Sequence, residues 1–257
     1  MAPRWLRLAE DLKQKIDNGT YPVGNKLPSV PEMVAQGAGS INTVMAAYRE
    51  LANSGYVVVK KGRREEGGTF VRRRTVIRIP LSRYGKVLRP GGTRGPWETA
   101  TAEQNIDGAV RPISVEHTEA PDRVAKALRL PPSKLAVVYR HRHALADGDV
   151  VQIQRAWYPK DIAVAAGLDG PGKVVGGAFG AMTSAGLRPK TASEKVSTRK
   201  PTAEEAAELG IGSGVSVLVV DRVVKDADGR ELELLETIAA GDRLELTYNN
   251  LPITEIE

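Results

Sequence analysis

Two sets of side chains in this sequence have the types and spacing to do chemistry, and both suit anions. Downstream of Ser40, Val44, Ala47, Tyr48 and Leu51 recur at helical spacing, and Asn42, Ala46, Arg49 and Asn53 fall on the opposite face. Asn pairs bidentately with adenine and Arg with guanine, so this face could read bases in a major groove. Further along, Arg140 and Arg142 are two apart in an extended stretch and point to one side of it. Two guanidinium groups so placed repel unless an anion lies between them or nearby carboxylates pair with them; a phosphate or carboxylate ligand would suit. His141 and His143 share the other side, and two His at that spacing could ligate a metal, but no third ligand is evident and none is expected. With no Cys, thiolate nucleophiles and disulfides are excluded. No Ser-His-Asp set, Gly-rich nucleotide loop or paired-carboxylate signature stands out, so catalytic residues and cofactors are not expected.

The elements that would carry Asn42 and Arg49 are legible. After Pro3, residues Trp5, Leu8, Ala9, Leu12 and Ile16 predict an amphipathic helix stopped by Asn18-Gly19. Ser29 with Glu32 three positions on makes a capping box for a second, short helix, and Gly37 and Gly39 make a turn. Ser40 caps a third helix, which Gly55 ends. Residues 56–60 read as a strand, 61–68 as a basic, Gly-punctuated tip, and 69–71 as the return strand, after which Arg72, Arg73 and Arg74 extend the basic surface. Three helices and a hairpin are the layout of a winged helix-turn-helix.

Charge is distributed to match. Residues 1–75 hold 13 Lys and Arg against 7 Asp and Glu, and that surplus of six is the whole formal net charge of the 257-residue chain. A positive head on a neutral body suggests a polyanion-binding module fused to something else. A Pro/Gly/Arg-rich linker spans 76–97, separating a head at 1–75 from a body at 98–257. Residues 1–16 lack the apolar run of a signal peptide, and no stretch approaches the roughly 20 apolar residues that span a bilayer, so a cytoplasmic protein without membrane contact is expected.

In the body, 110–117 reads as extended and 122–130 as helical. Residues 136–146 and 150–157 are two strands joined at Asp147-Gly148-Asp149, a strong hairpin signal. Residues 174–185 could be helical despite their glycines, 191–198 is a strand, and Thr202 with Glu205 opens a capped helix. Strands at 215–224, 231–239 and 244–250 follow. Helices interrupting hairpin-joined strands predict an α+β domain with a mostly antiparallel sheet.

Residues 5–71 resemble the DNA-binding domain of the GntR family of bacterial transcriptional regulators. The resemblance rests on Leu27-Pro28-Ser29, Ser40 with Thr43-Val44, Tyr48-Arg49-Glu50-Leu51, Gly55-Tyr56-Val57 and Gly68-Thr69-Phe70-Val71, in order. It implies double-stranded DNA as partner, with Ser29, Ser40, Asn42, Thr43, Arg49, Arg63, Arg64, Gly68 and Thr69 at the interface. Val30-Pro31 stands where the family usually has Glu-Arg, and Ile41 where it has Arg. Two expected contacts are therefore missing, which implies a shifted or weakened DNA preference.

The body looks like the UTRA effector-binding domain of the HutC branch, which has the chorismate-lyase fold. The carriers are Arg140-His141-Arg142, Trp157-Tyr158-Pro159, Glu204-Glu205-Ala206-Ala207-Glu208-Leu209-Gly210, Asp228-Gly229-Arg230 and Gly241-Asp242-Arg243. The resemblance implies a ligand-responsive repressor that binds a palindromic operator as a homodimer. It places effector contacts at Arg140, Arg142, Gln154 and Glu233. Gln154 stands where the family has an acidic residue, and Gly177-Ala178 where it has a serine, so a sugar phosphate loses support and a small anion of other kind is left. A constitutive plasmid-type transfer or maintenance repressor with a decayed pocket, and a lyase-like enzyme, are the alternatives.

Overall fold

The computed structural model describes residues 2–60, 62, 67–80, 93–133 and 135–249. These fall into two compact units. One comprises Met1–Thr75, Arg199–Val217 and Ala240–Arg243; the other comprises Val76–Thr198, Leu218–Ala239 and the residues from Leu244 onward. Segments 199–217 and 240–243, which the sequence reads within the body, thus lie in the head unit.

The head begins with α1 (Arg4–Asp17), which buries Ala9, Leu12 and Ile16. In α2 (Val30–Ala35) the capping box forms: Ser29 N–H donates to Glu32 Oε2 at 2.6 Å, and Ser29 Oγ accepts from Glu32 N–H. That backbone hydrogen bond from Ser29 holds the Glu32 carboxyl below its ordinary pKa. Ser40 Oγ accepts from Thr43 N–H to start α3 (Ile41–Asn53), which buries Ala47 and whose Val44, Tyr48 and Leu51 join Leu12, Ile16, Leu27 and Met33 in one core. The Tyr48 hydroxyl donates to Pro28 O, tying α3 to the approach to α2. Strands β1 (Val57–Lys60) and β2 (Gly68–Val71) pair antiparallel with Val57 opposite Val71, closing the winged helix-turn-helix.

Two later segments complete this unit. Thr202 and Glu205 cap the short helix at Ala203–Leu209, and Arg199 grips the buried Glu205 carboxylate through two bonds of 2.6 and 2.7 Å. Beyond it, a Cβ on Gly212 would stand 2.2 Å from Ala52 O, and one on Gly214 2.3 Å from Asn53 O. Glycine is needed at both because the backbone presses on the last turn of α3. Arg72, only 7% exposed, donates to both Asp242 oxygens and to Gly55 O. The sequence treats Arg72, Arg73 and Arg74 as an extension of the basic surface. The structure corrects this for two of them, since Arg72 is buried in that pair while Arg74 stacks on the Tyr56 ring and pairs with Asp17.

The body is built on a six-stranded sheet. Its spatial order is β4 (Gly108–Glu119), β5 (Ala136–Ala146), β6 (Asp149–Pro159), β9 (Glu231–Ala240), β8 (Val217–Lys225) and β7 (Thr191–Arg199). Pairing is antiparallel from β4 through β5 and β6 to β9. Asp147 (φ 48°) and Gly148 (φ 85°) make the β5–β6 turn; both are left-handed, as a two-residue hairpin turn matching strand twist requires. Helices α5 (Asp122–Ala127), α6 (Lys160–Ala165) and α7 (Gly177–Ser184) cover the sheet, burying Val124, Ile162, Phe179 and Met182. Helix α4 (Pro96–Ala102) and a separate pair, β3 (Ile77–Pro80) parallel to β10 (Leu244–Thr247), form a further core around Trp97, Ala144 and Val151. The final strand therefore leaves the main sheet, and its expected end at Asn250 lies outside the described residues. Among the described residues no helix is long and apolar enough to cross a membrane.

Candidate nucleic-acid face and ligand cavity

With its apolar stripe packed inward, α3 turns Ile41, Asn42, Met45 and Arg49 to solvent. Asn42 and Arg49 are exposed, as their positions on the helical wheel require, and Arg49 makes no hydrogen bond or ion pair among the described residues. Ala46 is half-buried instead; Ile41 at 58% and Met45 at 47% exposure take the open positions beside Asn42. Sequence reading missed them as candidates because an apolar residue on a helix is ordinarily assigned to the core; an i, i+4 apolar pair lying off the main stripe was the available signal. Both Ser29 and Ser40 commit their Oγ to capping, and Ser40 Oγ also lies 3.0 Å from Thr43 Oγ1. Gly68 and Thr69 sit at the start of β2, where Lys26 stacks near the Phe70 ring. Arg63 and Arg64 lie outside the described residues.

In the body, strand alternation brings Arg140, Arg142, Gln154 and Glu233 to the wall of one cavity of about 120 Å³. Register explains this. Arg142 stands opposite Gln154 across β5–β6, and Gln154 opposite Thr237 across β6–β9. Their situations differ. Arg140, 1% exposed, donates through Nη1 to Leu168 O (2.7 Å) and Gly170 O (2.6 Å) and through Nη2 to Gly172 O (2.8 Å). Burial lowers its pKa. Its partners among the described residues are thus carbonyls of the loop before α7 and not carboxylates.

Glu233 is fully buried, accepting from Tyr158 OH at 2.6 Å and from Arg222 Nη2 at 2.5 Å. Burial pushes its pKa up, but Arg222, the Tyr158 hydroxyl and Arg142 outweigh that and hold the carboxyl below its ordinary range. Burial and the neighbouring Glu233 raise the Tyr158 phenol. A carboxylate depressed by folding contributes stability above its unfolded pKa and loses it as the pH falls through the folded value. Unfolding free energy, followed by urea titration from pH 7 down to pH 3, is therefore expected to decline on acidification, with a shallower slope in Glu233→Gln.

Arg142 is the exception on this wall. It is 9% exposed, and although its Nε is buried without a hydrogen-bond partner just as those of Arg140 and Arg222 are, it alone of the three makes no hydrogen bond or ion pair among the described residues. Gln154 donates to Gln152 Oε1 at 3.1 Å and carries no charge to answer it.

Comparison with known proteins places this architecture. Residues 5–71 match the bacterial regulatory proteins of the gntR family, and residues 103–245 match the UTRA domain. The chain belongs to the GntR family of bacterial transcriptional regulators and carries a UTRA domain. It is 28% identical to an HTH-type transcriptional regulator of Streptomyces coelicolor over 96% of this chain and 93% of that one. A second such regulator, from Rhizobium meliloti, is 25% identical over 94% and 93%. Among solved structures, a GntR-family regulator superposes with a TM-score of 0.58 at 27% identity, covering 98% of both chains. PhnF from Mycobacterium smegmatis shares the fold, with a TM-score of 0.60 at 22% identity over 96% of this chain and 100% of its own.

Proposed function

We propose that the protein is a ligand-responsive repressor that binds a palindromic operator as a homodimer in the cytoplasm, where residues 1–75 carry the DNA contacts and residues 98–257 the effector site and the dimer contact. The observation that carries this reading is the outward face of α3, where Asn42 and Arg49, the latter with no partner among the described residues, stand ready for base edges. Ile41 and Met45 beside them offer apolar surface to thymine methyl groups, so the reading includes A·T pairs at the centre of each half-site. A dimer follows from symmetry and effective concentration: one small head reads few base pairs, and two linked heads on a palindrome gain affinity without new contacts. A small anion beside Arg142 is the effector. The reading includes no catalysis, in keeping with a Glu233 carboxylate that is held by Arg222 and Tyr158.

Gel retardation on the promoter of its own or a neighbouring gene tests the DNA reading. Affinity is expected to fall roughly a thousand-fold between about 50 and 200 mM salt, because cationic side chains displace counterions from phosphates. Absence of retardation at low salt would rule the reading out.

A further inference from the structure

Resting on the reading of α3 as the helix that meets base edges, we propose that the Met45 thioether is a modification site: a two-electron oxidant of the hypochlorite class converts it to the sulfoxide, and the oxidised head no longer holds its operator.

The chain has four Met and no Cys, so the thioether is its only sulfur chemistry. Met33, 5% exposed, and Met182, 0% exposed, are sealed in the apolar cores of the head and the body. Met1 lies outside the described residues. Met45 is different: it is 47% exposed on α3, away from the buried stripe of Val44, Ala47, Tyr48 and Leu51. An oxidant in water therefore reaches Met45 and is kept from Met33 and Met182. The chemistry needs only the oxidant and water. Met45 Sδ attacks the chlorine of hypochlorous acid, releasing hydroxide, and water then displaces chloride from the chlorosulfonium with loss of two protons. Overall an S–O bond forms and the Cl–O bond breaks. Sulfur gives up two electrons, and chloride and one net proton leave.

Two neighbours turn this one oxygen atom into a loss of recognition. Ile41, 58% exposed, stands four residues before Met45, and residues four apart on a helix lie side by side. The two form the apolar part of the outward face, suited to thymine methyl groups. A sulfoxide oxygen there must shed its water on entering the groove, and a methyl group offers it no donor, so affinity falls. Arg49 stands four residues after Met45, is exposed, and has no partner among the described residues. The sulfoxide is a polar acceptor on a flexible, unbranched side chain, and it competes with the guanine edge for the Arg49 guanidinium. Oxidation thus spoils the apolar contact and diverts the arginine that reads bases. DNA seated on α3 covers the thioether, so the free protein is the form that is oxidised, and the change blocks its return to the operator. Methionine sulfoxide reductases, one for each epimer, reverse it.

Treatment of the full-length protein with a few equivalents of hypochlorite, followed by peptide mass spectrometry and by gel retardation on the same promoter fragment at low salt, tests the proposal. Met45 is expected to gain one oxygen well before Met33 and Met182, and more slowly when the promoter fragment is already bound. Operator affinity is expected to fall at least ~10-fold, the effect of one buried polar group left unpaired, with the melting temperature unchanged. Methionine sulfoxide reductases A and B with dithiothreitol should restore it. Recovery with dithiothreitol alone would trace the loss to chlorinated amines and overturn the proposal. Met45→Leu, whatever its starting affinity, should lose nothing further on treatment, and an equal loss in that variant would also overturn it. The reductase comparison uses the unaltered protein, so it decides the point even if the variant fails to fold. Untreated protein that binds the fragment and keeps its affinity once Met45 is oxidised would overturn this inference alone. Untreated protein that fails to retard the fragment would remove the DNA reading and this inference with it.

Discussion

Reversing Arg49, Arg63 and Arg64 to glutamate together is expected to lower operator affinity by at least ~1,000-fold, with secondary structure and melting temperature unchanged. Arg49 is exposed on the solvent face of α3 and pairs with none of the described residues, so its replacement breaks no contact among them. One bidentate guanine contact is worth ~1–3 kcal/mol, and a dimer makes it twice. Each wing arginine adds a counterion-release contribution, and glutamate in its place repels the phosphates it would have neutralised. Gel retardation at low salt, with circular dichroism as the folding control, reads the effect directly. Undiminished affinity would mean that α3 and the wing do not enter the grooves. Single Asn42→Ala or Arg49→Ala changes are expected to relax sequence preference more than they weaken non-specific binding, because only base contacts discriminate among sequences.

Alanine at Gly212 and Gly214 is expected to destabilise the head by ~1–3 kcal/mol per site, the usual cost of overpacking. The added methyl groups would meet the carbonyl oxygens of Ala52 and Asn53 at 2.2 and 2.3 Å, and backbone at a helix end cannot swing aside as a long side chain can. Gly170→Ala serves as control, since a Cβ there meets nothing within 4 Å. Differential scanning calorimetry and protease protection of α3 measure the loss. An unaltered transition in the double variant would show that segment 211–215 does not pack on α3 in solution. The same contact implies that a fragment of residues 1–75 alone is less stable than the head within the whole chain, having lost Asp242 opposite the buried Arg72 and the cover of 199–217.

Legibility followed the range of the interactions concerned. Both Ser/Thr-x-x-Glu capping boxes read from the sequence, at Ser29–Glu32 and Thr202–Glu205, are present, because a cap involves residues three apart. The Asp147-Gly148 hairpin was equally visible, since left-handed backbone in a two-residue turn restricts residue type locally. Helical periodicity placed the stripe of α3, and with it the exposure of Asn42 and Arg49. Less visible was the fate of charged residues. Arg72 and Arg74 look like part of a basic patch along the chain, yet their partners Asp242 and Asp17 lie 170 and 57 residues away.

Sequence by itself determined the fold class, the winged helix-turn-helix with its capped helices, and the shared face of Arg140 and Arg142, because propensity, capping and strand alternation act between near neighbours. Only the tertiary structure decided that 199–217 and 240–243 join the head, that β10 pairs with β3 away from the main sheet, and that the two arginines part company. Arg140 meets the carbonyls of a loop some thirty residues on, while the buried Arg142 meets no such acceptor among the described residues. Such outcomes depend on which distant backbone closes over a side chain, and no local pattern of residues encodes that closure.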